Sequence, residues 1–170
     1  MRLGVRLGVD VGEARVGLAA CDPDALIATP VATLRRDSKG HSDIEEIARE
    51  AGVRSAVEIV IGLPRGLSGV DGIAAEHARG YAKALRRRLP GVPVRLWDER
   101  LSTVDAHRGL RMSGVPTRRH RESVDQLAAV LILQSALDAE RATGSPGGEI
   151  VGARKPRHRT GSNSDQGRQP

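Results

Sequence analysis

The run Leu7-Gly8-Val9-Asp10-Val11-Gly12 constrains the fold most, because it drives a carboxylate to the end of an otherwise apolar strand. Val5, Leu7 and Val9 alternate with Arg6 and Gly8, a period of two that suits a strand with one well-buried face. In such a place Asp10 loses its water shell and needs a partner. Gly12 permits a tight turn without a Cβ clash. Arg15-Val16-Gly17-Leu18-Ala19-Ala20 then reads as a returning strand, so a hairpin forms with Asp10 near its tip. A turn aspartate can also simply bond its own loop. What decides between these readings is whether other carboxylates arrive at the same place.

The rest of the chain supplies elements that could bring them there. Leu26 to Leu34 reads as a third strand, which Pro30 confines to an edge or a bulge. Ser42 with Glu45 forms a capping-box pair opening a helix that Gly52 is placed to end. Ala56 to Ile61 has the unbroken apolar character of a buried parallel strand. A glycine-rich connection over 62–72 leads to a helix over 73–89, which Pro90-Gly91 stops. Val92 to Trp97 is a further strand ending in Asp98-Glu99-Arg100, and Ser102 caps a helix expected to reach Met112. A basic loop, Thr117-Arg118-Arg119-His120-Arg121, precedes a second capping pair, Ser123 and Gln126, opening a last helix over 124–142. Three meandering strands followed by alternating helices and strands predict an α/β mixed sheet, antiparallel first and parallel afterwards, flanked by helices. That arrangement resembles the ribonuclease H-like fold.

Composition narrows the function. The chain has 170 residues, enough for one domain. It has no Phe, one Tyr and one Trp, so the core must be built from Val, Leu, Ile and Ala. That scarcity argues against single-strand binders that stack bases on aromatic platforms. A formal charge of +6, almost all of it from arginine, favours a polyanionic partner. Much of that charge lies beyond residue 150, where Arg154, Lys155, Arg157, Arg159 and Arg168 face only Asp165. The segment 144–170 is rich in Gly, Pro, Ser and Asn and cannot bury enough surface to order itself. The expected division is a ribonuclease H-like domain over 1–143 and a disordered basic tail over 144–170. A single cysteine, Cys21, excludes an internal disulfide and leaves an intermolecular one open. No apolar run has membrane-spanning length and no signal-peptide pattern opens the chain, so a cytoplasmic location without membrane partners is expected.

In an open α/β sheet, sites form beyond the carboxyl ends of the parallel strands. Asp10 ends the first strand, and Asp98 with Glu99 ends the last. Asp125, near the start of the last helix, shares a face with Ala128, Ala129 and Ile132. Each acid has a plain alternative: Asp125 can complement a helix dipole, and Asp98 and Glu99 can pair with Arg100. Two carboxylates about 4 Å apart repel by roughly 4 kcal/mol at an effective dielectric near 20, so a cluster must hold a proton or a cation. Oxygen ligands without a His or Cys set suit Mg²⁺ or Mn²⁺. Paired ions of this kind activate water and stabilise the leaving oxygen in phosphodiester cleavage. Arg15, Arg100, Arg118, Arg119 and Arg121 flank the proposed site and suit a nucleic-acid backbone.

Other signals carry less. Gly62-Leu63-Pro64-Arg65-Gly66-Leu67-Ser68-Gly69 lacks the Gly-Lys-Ser/Thr ending of a phosphate-binding P-loop. The five histidines show no metal-ligand spacing, and only His120 falls near the proposed site. Trp97 reads as packing. Sugar kinases and actin-like ATPases share the opening hairpin, but they need two such domains, and this chain has room for one.

Four motifs together carry a family resemblance over about residues 5 to 140. They are Gly8-Val9-Asp10-Val11-Gly12-Glu13-Ala14-Arg15-Val16-Gly17, Gly62-Leu63-Pro64 with Gly69, Asp98-Glu99-Arg100-Leu101-Ser102-Thr103, and Asp125 through Ala128-Ala129 to Ile132-Leu133. In these the chain resembles YqgF/RuvX-type proteins, described both as pre-16S rRNA nucleases and as Holliday junction resolvases. The resemblance implies a ribonuclease H-like fold with Asp10, Glu99 and Asp125 as catalytic and metal-binding acids and Asp98 as a neighbour. Glu13 and Ala14 stand where the family often carries a hydroxyl residue and Lys, a departure that leaves the acids intact, adds a negative charge and does not carry over the family's local phosphate contact. The implied activity is metal-dependent phosphodiester hydrolysis on pre-rRNA or branched DNA, by a monomer or a homodimer. A ribosome-assembly factor that binds without cutting is the remaining alternative.

Overall fold

The computed structural model describes residues 1–101 and 118–152, with backbone alone for 118–123. Six strands form one sheet in the order β3-β2-β1-β4-β5-β6. Strands β1 (Arg6–Val11), β2 (Arg15–Cys21) and β3 (Ala28–Arg35) make the antiparallel meander. Strands β4 (Glu58–Leu63) and β5 (Val94–Asp98) then run parallel to β1, and β6 (Glu149–Ile150) closes the far edge antiparallel to β5. Helices α1 (Ser42–Val53), α2 (Ile73–Arg88) and α3 (Arg118–Thr143) flank the sheet. This is the expected mixed α/β architecture. Pro30 lies in edge strand β3, where Val31 bulges: Leu18 pairs with Ala32 while Ala19 pairs with Pro30.

Strand alternation sorts the side chains into two layers. Leu7, Val9, Val16, Leu18, Ile59, Ile61, Leu63, Val94 and Leu96 face α1 and α2 and form the larger core. The other face carries Ala19, Cys21, Val60 and Trp97 against Ala129, Ile132, Leu133 and Leu137 of α3. On that second face three neighbouring strands present glycine. A Cβ on Gly8 would lie 2.6 Å from the Leu133 Cβ, one on Gly17 2.0 Å from the Asp125 carbonyl oxygen, and one on Gly62 2.5 Å from the Ile132 Cδ1. Real Cβ contacts do not come so close, so the bare backbone of β2, β1 and β4 is the seat of α3.

Several local expectations shift. Ser42 does not cap α1. His41 takes the cap position with φ 59°, and the Asp37 carboxylate accepts from the Ser42 hydroxyl at 2.8 Å and the Gly40 N–H at 2.8 Å. The helix also passes Gly52 and ends at Val53, with Ser55 in the left-handed region at φ 50°. The helix carrying Asp125 begins at Arg118, so Arg118 to Arg121 of the expected basic loop are helical and the Ser123–Gln126 pair lies inside the helix. Asp125 is therefore not a first-turn acid. The expected tail is ordered over its first residues: Glu149–Ile150 pairs with β5, and Arg79 holds Glu149 at 2.8 Å. The helix expected over 102–112 and the tail beyond 152 lie outside the described residues.

At the edge where the parallel strands begin, Arg6, Glu58, Arg95 and Glu140 are almost fully buried. Arg2 joins them, donating to both Glu140 oxygens at 3.0 Å and to Glu58 Oε2 at 2.9 Å. These bonds hold the Glu140 carboxyl down to about 2 from its ordinary 4.5. With the folded value below the unfolded one, the stabilisation is complete above about pH 4.5 and is lost as pH falls toward 2. Glu140→Gln is expected to cost about 2 kcal/mol at neutral pH and to flatten the acid limb of stability over that range. Denaturant midpoints measured from neutral pH down to pH 2 check both.

Candidate active site

The opposite edge of the sheet gathers the candidate acids. Asp10 stands at the carboxyl end of β1, on the α3 face, and is only 7% exposed. Its partner across the β1–β2 ladder is Gly17. Directly over Gly17 lies the Asp125 backbone, whose carbonyl oxygen takes the space a Cβ would need. Glu99 begins a short 3₁₀ turn, Glu99–Leu101, after β5. Its side chain reaches over β4, with Glu99 Oε1 2.6 Å from the point where Gly62 would carry a Cβ. Gly62 is on β4, the strand between β1 and β5. Glycine therefore sets the site twice over, admitting Asp125 at β2 and Glu99 at β4.

Asp98 takes a different direction. Its register partner Leu63 belongs to the α1–α2 core, so alternation points Asp98 away from α3. There it accepts from Arg100 Nη2 at 2.6 Å and lies 3.7 Å from Arg65. The Arg100 hydrogen bond, against some desolvation, holds its carboxyl below the usual range. Between the two neighbouring acids left open by spacing, Glu99 is the one over the α3 face.

The candidate phosphate-binding arginines divide. Arg15, the first residue of β2, places Nε 2.6 Å from Asp125 Oδ2, with the two side chains 36% and 24% exposed. Arg100 is tied to Asp98 and lies above the glycine loop, Nη1 3.2 Å from the Cβ position of Gly69. Arg118, Arg119 and Arg121 fall in the opening turns of α3, and their side chains, like that of His120, lie outside the described residues. Arg65, which spacing did not single out, joins Asp71 at 2.9 Å and forms a β-bridge with it, making the 65–71 connection a small closed hairpin. Asp71 continues through Arg79 to Glu149.

The carboxylate set has the oxygen-only chemistry that a hard divalent ion prefers. Among the described residues, however, no three His, Cys, Asp or Glu side chains stand close enough to share one ion. Asp125 instead faces the Arg15 guanidinium. Trp97 is 3% exposed and donates to Ser135 of α3 at 3.1 Å, a packing role. Cys21 is buried, accepts from the Arg6 N–H at 3.1 Å, and has its thiol pushed up by desolvation. Among the described residues no helix is long and apolar enough to cross a membrane.

Comparison with known proteins bears on the class and then the family. Among solved structures, Thermus thermophilus RuvC in complex with a Holliday junction superposes with a TM-score of 0.51 at 17% identity, covering 85% of this chain and 99% of that one. The fold is ribonuclease H-like. The family model described as "RuvX: Holliday junction resolvase" matches residues 4–139. A relative from Kineococcus radiotolerans is 56% identical over 94% of this chain and 86% of its own. One from Streptomyces avermitilis is 48% identical over 89% and 96%. Both are named as candidate pre-16S rRNA nucleases. The chain belongs to the RuvX family, and it is a nuclease, a hydrolase acting on phosphodiester bonds.

Proposed function

We propose that this nuclease trims the 5′ end of pre-16S rRNA, with a Mg²⁺ or Mn²⁺ ion held by Asp10, Glu99 and Asp125 once their side chains close up. In the present arrangement no three such groups among the described residues share one ion, and Asp125 pairs with Arg15. The observation that carries the reading is the delivery of those three acids, from β1, the β5 end and α3, to one sheet edge across a glycine floor. The ion would supply Lewis acidity, lowering the pKa of a bound water and stabilising the leaving oxygen. Asp10 is almost buried and held at a strand end, so its carboxylate is oriented before substrate arrives. Arg15 and Arg100 are half-exposed beside the acids and can reach a phosphate backbone. The names of the relatives favour rRNA.

Cleavage of branched DNA is the second reading, favoured by the family description and the likeness to RuvC. One experiment separates the two. An RNA spanning the 5′ precursor boundary of 16S rRNA and a synthetic four-way DNA junction are incubated with protein and Mg²⁺ or Mn²⁺. Metal-dependent trimming of the RNA alone is expected. Symmetric cuts in the junction with intact RNA would move the protein to recombination, and binding without cutting would favour an assembly factor.

Strand β6 leads the chain back along β5 toward the edge opposite the acids, with Val151 N–H bonded to the Val94 carbonyl at 2.9 Å. A truncation that ends at Gly152 therefore keeps the sheet whole and removes the five basic residues beyond it. We expect it to reduce the steepness of log affinity against log salt on single-stranded RNA by up to about 3 units. Affinity measured across a salt series checks this, and an unchanged slope would mean the tail makes no phosphate contacts.

A further inference from the structure

The Arg15–Asp125 pair sits where the ion and the substrate would both have to act. Arg15 has a fixed backbone: its carbonyl accepts the Gly12 N–H at 2.9 Å, and the preceding Ala14 carbonyl accepts the Arg36 N–H at 2.9 Å. Asp125 is fixed too, since its own carbonyl is seated on Gly17. Neither backbone can retreat, so any change between them is a change of side-chain rotamer. Both side chains are partly open to solvent, which leaves that change possible.

A divalent ion and a guanidinium both seek the Asp125 carboxylate, and side by side they repel. A phosphate offers Arg15 an alternative acceptor that fits its fork in a bidentate way. We propose that Arg15 is a positioning residue that trades Asp125 for a backbone phosphate of the substrate. In the free protein the guanidinium occupies Asp125 and weakens ion binding. When nucleic acid draws Arg15 away, the carboxylate is released to the ion. Ion and substrate then bind cooperatively, and by linkage each tightens the other. This inference rests on the reading of Asp125 as an ion ligand.

Two binding measurements test it without relying on turnover. The first titrates Mn²⁺ into full-length protein without nucleic acid and compares wild type, Arg15→Gln, Arg15→Lys and Asp125→Asn. Arg15→Gln is expected to bind Mn²⁺ about tenfold more tightly than wild type, Arg15→Lys to stay near wild type, and Asp125→Asn to bind more weakly. The second measures affinity for the precursor RNA in EDTA. Asp125→Asn is expected to bind several-fold more tightly than wild type, because Arg15 is released, and the Arg15→Gln/Asp125→Asn double variant is expected to lose that gain. A merely structural ion pair would not give tighter Mn²⁺ binding on removal. Equal Mn²⁺ affinity in wild type and Arg15→Gln, with Asp125→Asn still weakened, would overturn the exchange while leaving the ion site standing. Mn²⁺ affinity insensitive to both Asp10→Asn and Asp125→Asn would overturn the ion site itself, and the exchange with it.

Discussion

Asp10→Asn is expected to lower cleavage by more than about a hundredfold while nucleic-acid affinity stays within a few-fold of wild type. Loss of a group that only supports a metal ligand typically costs 10–100-fold, so removal of a ligand should exceed about a hundredfold. The amide keeps the shape of the side chain at a position only 7% exposed, so the packing between β1 and α3 is preserved. It removes the negative charge, and with it most of the attraction for a divalent ion. Binding survives because the contacts assigned to phosphate come from arginines elsewhere. Single-turnover cleavage and equilibrium binding on one RNA check the two halves together. Cleavage by Asp10→Asn at the wild-type rate would show that the acids assigned here are not the site.

Gly17→Ala is expected to have the largest effect on stability. The added Cβ would stand 2.0 Å from the Asp125 carbonyl oxygen, a backbone atom that no rotamer can move aside. Helix α3 would have to lift by an ångström or more, opening the layer formed by Ala129, Ile132 and Leu133. Overpacking of this kind costs about 3 kcal/mol when the obstacle cannot relax. For a chain of this length, that lowers Tm by several degrees. Displacing Asp125 by about 1 Å would separately reduce the rate by roughly a hundredfold. Gly80→Ala is the matched control. It lies on the exposed side of α2 with nothing within 4 Å of its Cβ position. There the substitution is expected to stabilise by about 0.5–1 kcal/mol, as alanine does in a helix interior. Calorimetry on both variants with single-turnover rates checks the contrast. Gly17→Ala at wild-type Tm and rate would show that α3 does not depend on that close approach.

Much of this arrangement was legible in the residues. Strict alternation over 5–9 and the return at 15–20 defined the first hairpin, and Pro30 marked the edge strand. The parallel run of β1, β4 and β5 followed from the intervening helices, and it placed Asp10 and Glu99 at one edge. What misled was local chemistry read without its surroundings. Ser42 and Ser123 both stand in capping patterns, yet Asp37 organises the start of the first helix, and the second pattern lies well inside α3. The arginine-rich stretch before Ser123 reads as a basic loop, but arginine is also a good helix former, and the helix runs through it. Strand β6 has no period to detect in two residues. It depends on Gly147 fitting against the Trp97 ring and on the Arg79–Glu149 pair. Arg15 reads as a candidate phosphate contact from its place in the hairpin, while its pairing with Asp125, 110 residues away, is a property of the assembled fold.

The glycine seat also bears on when a newly made chain becomes active. Its three glycines belong to β1, β2 and β4, all made before residue 64, whereas the helix they receive begins at Arg118. During synthesis, N-terminal elements emerge and pair first. The early strands can therefore assemble while the slot above them is still empty. A product that stops short of α3 carries Asp10 but has neither Asp125 nor the layer that covers Gly8, Gly17 and Gly62. On the proposed reading of Asp125, such a product lacks part of its site, and cleavage is expected only from molecules whose translation has passed α3.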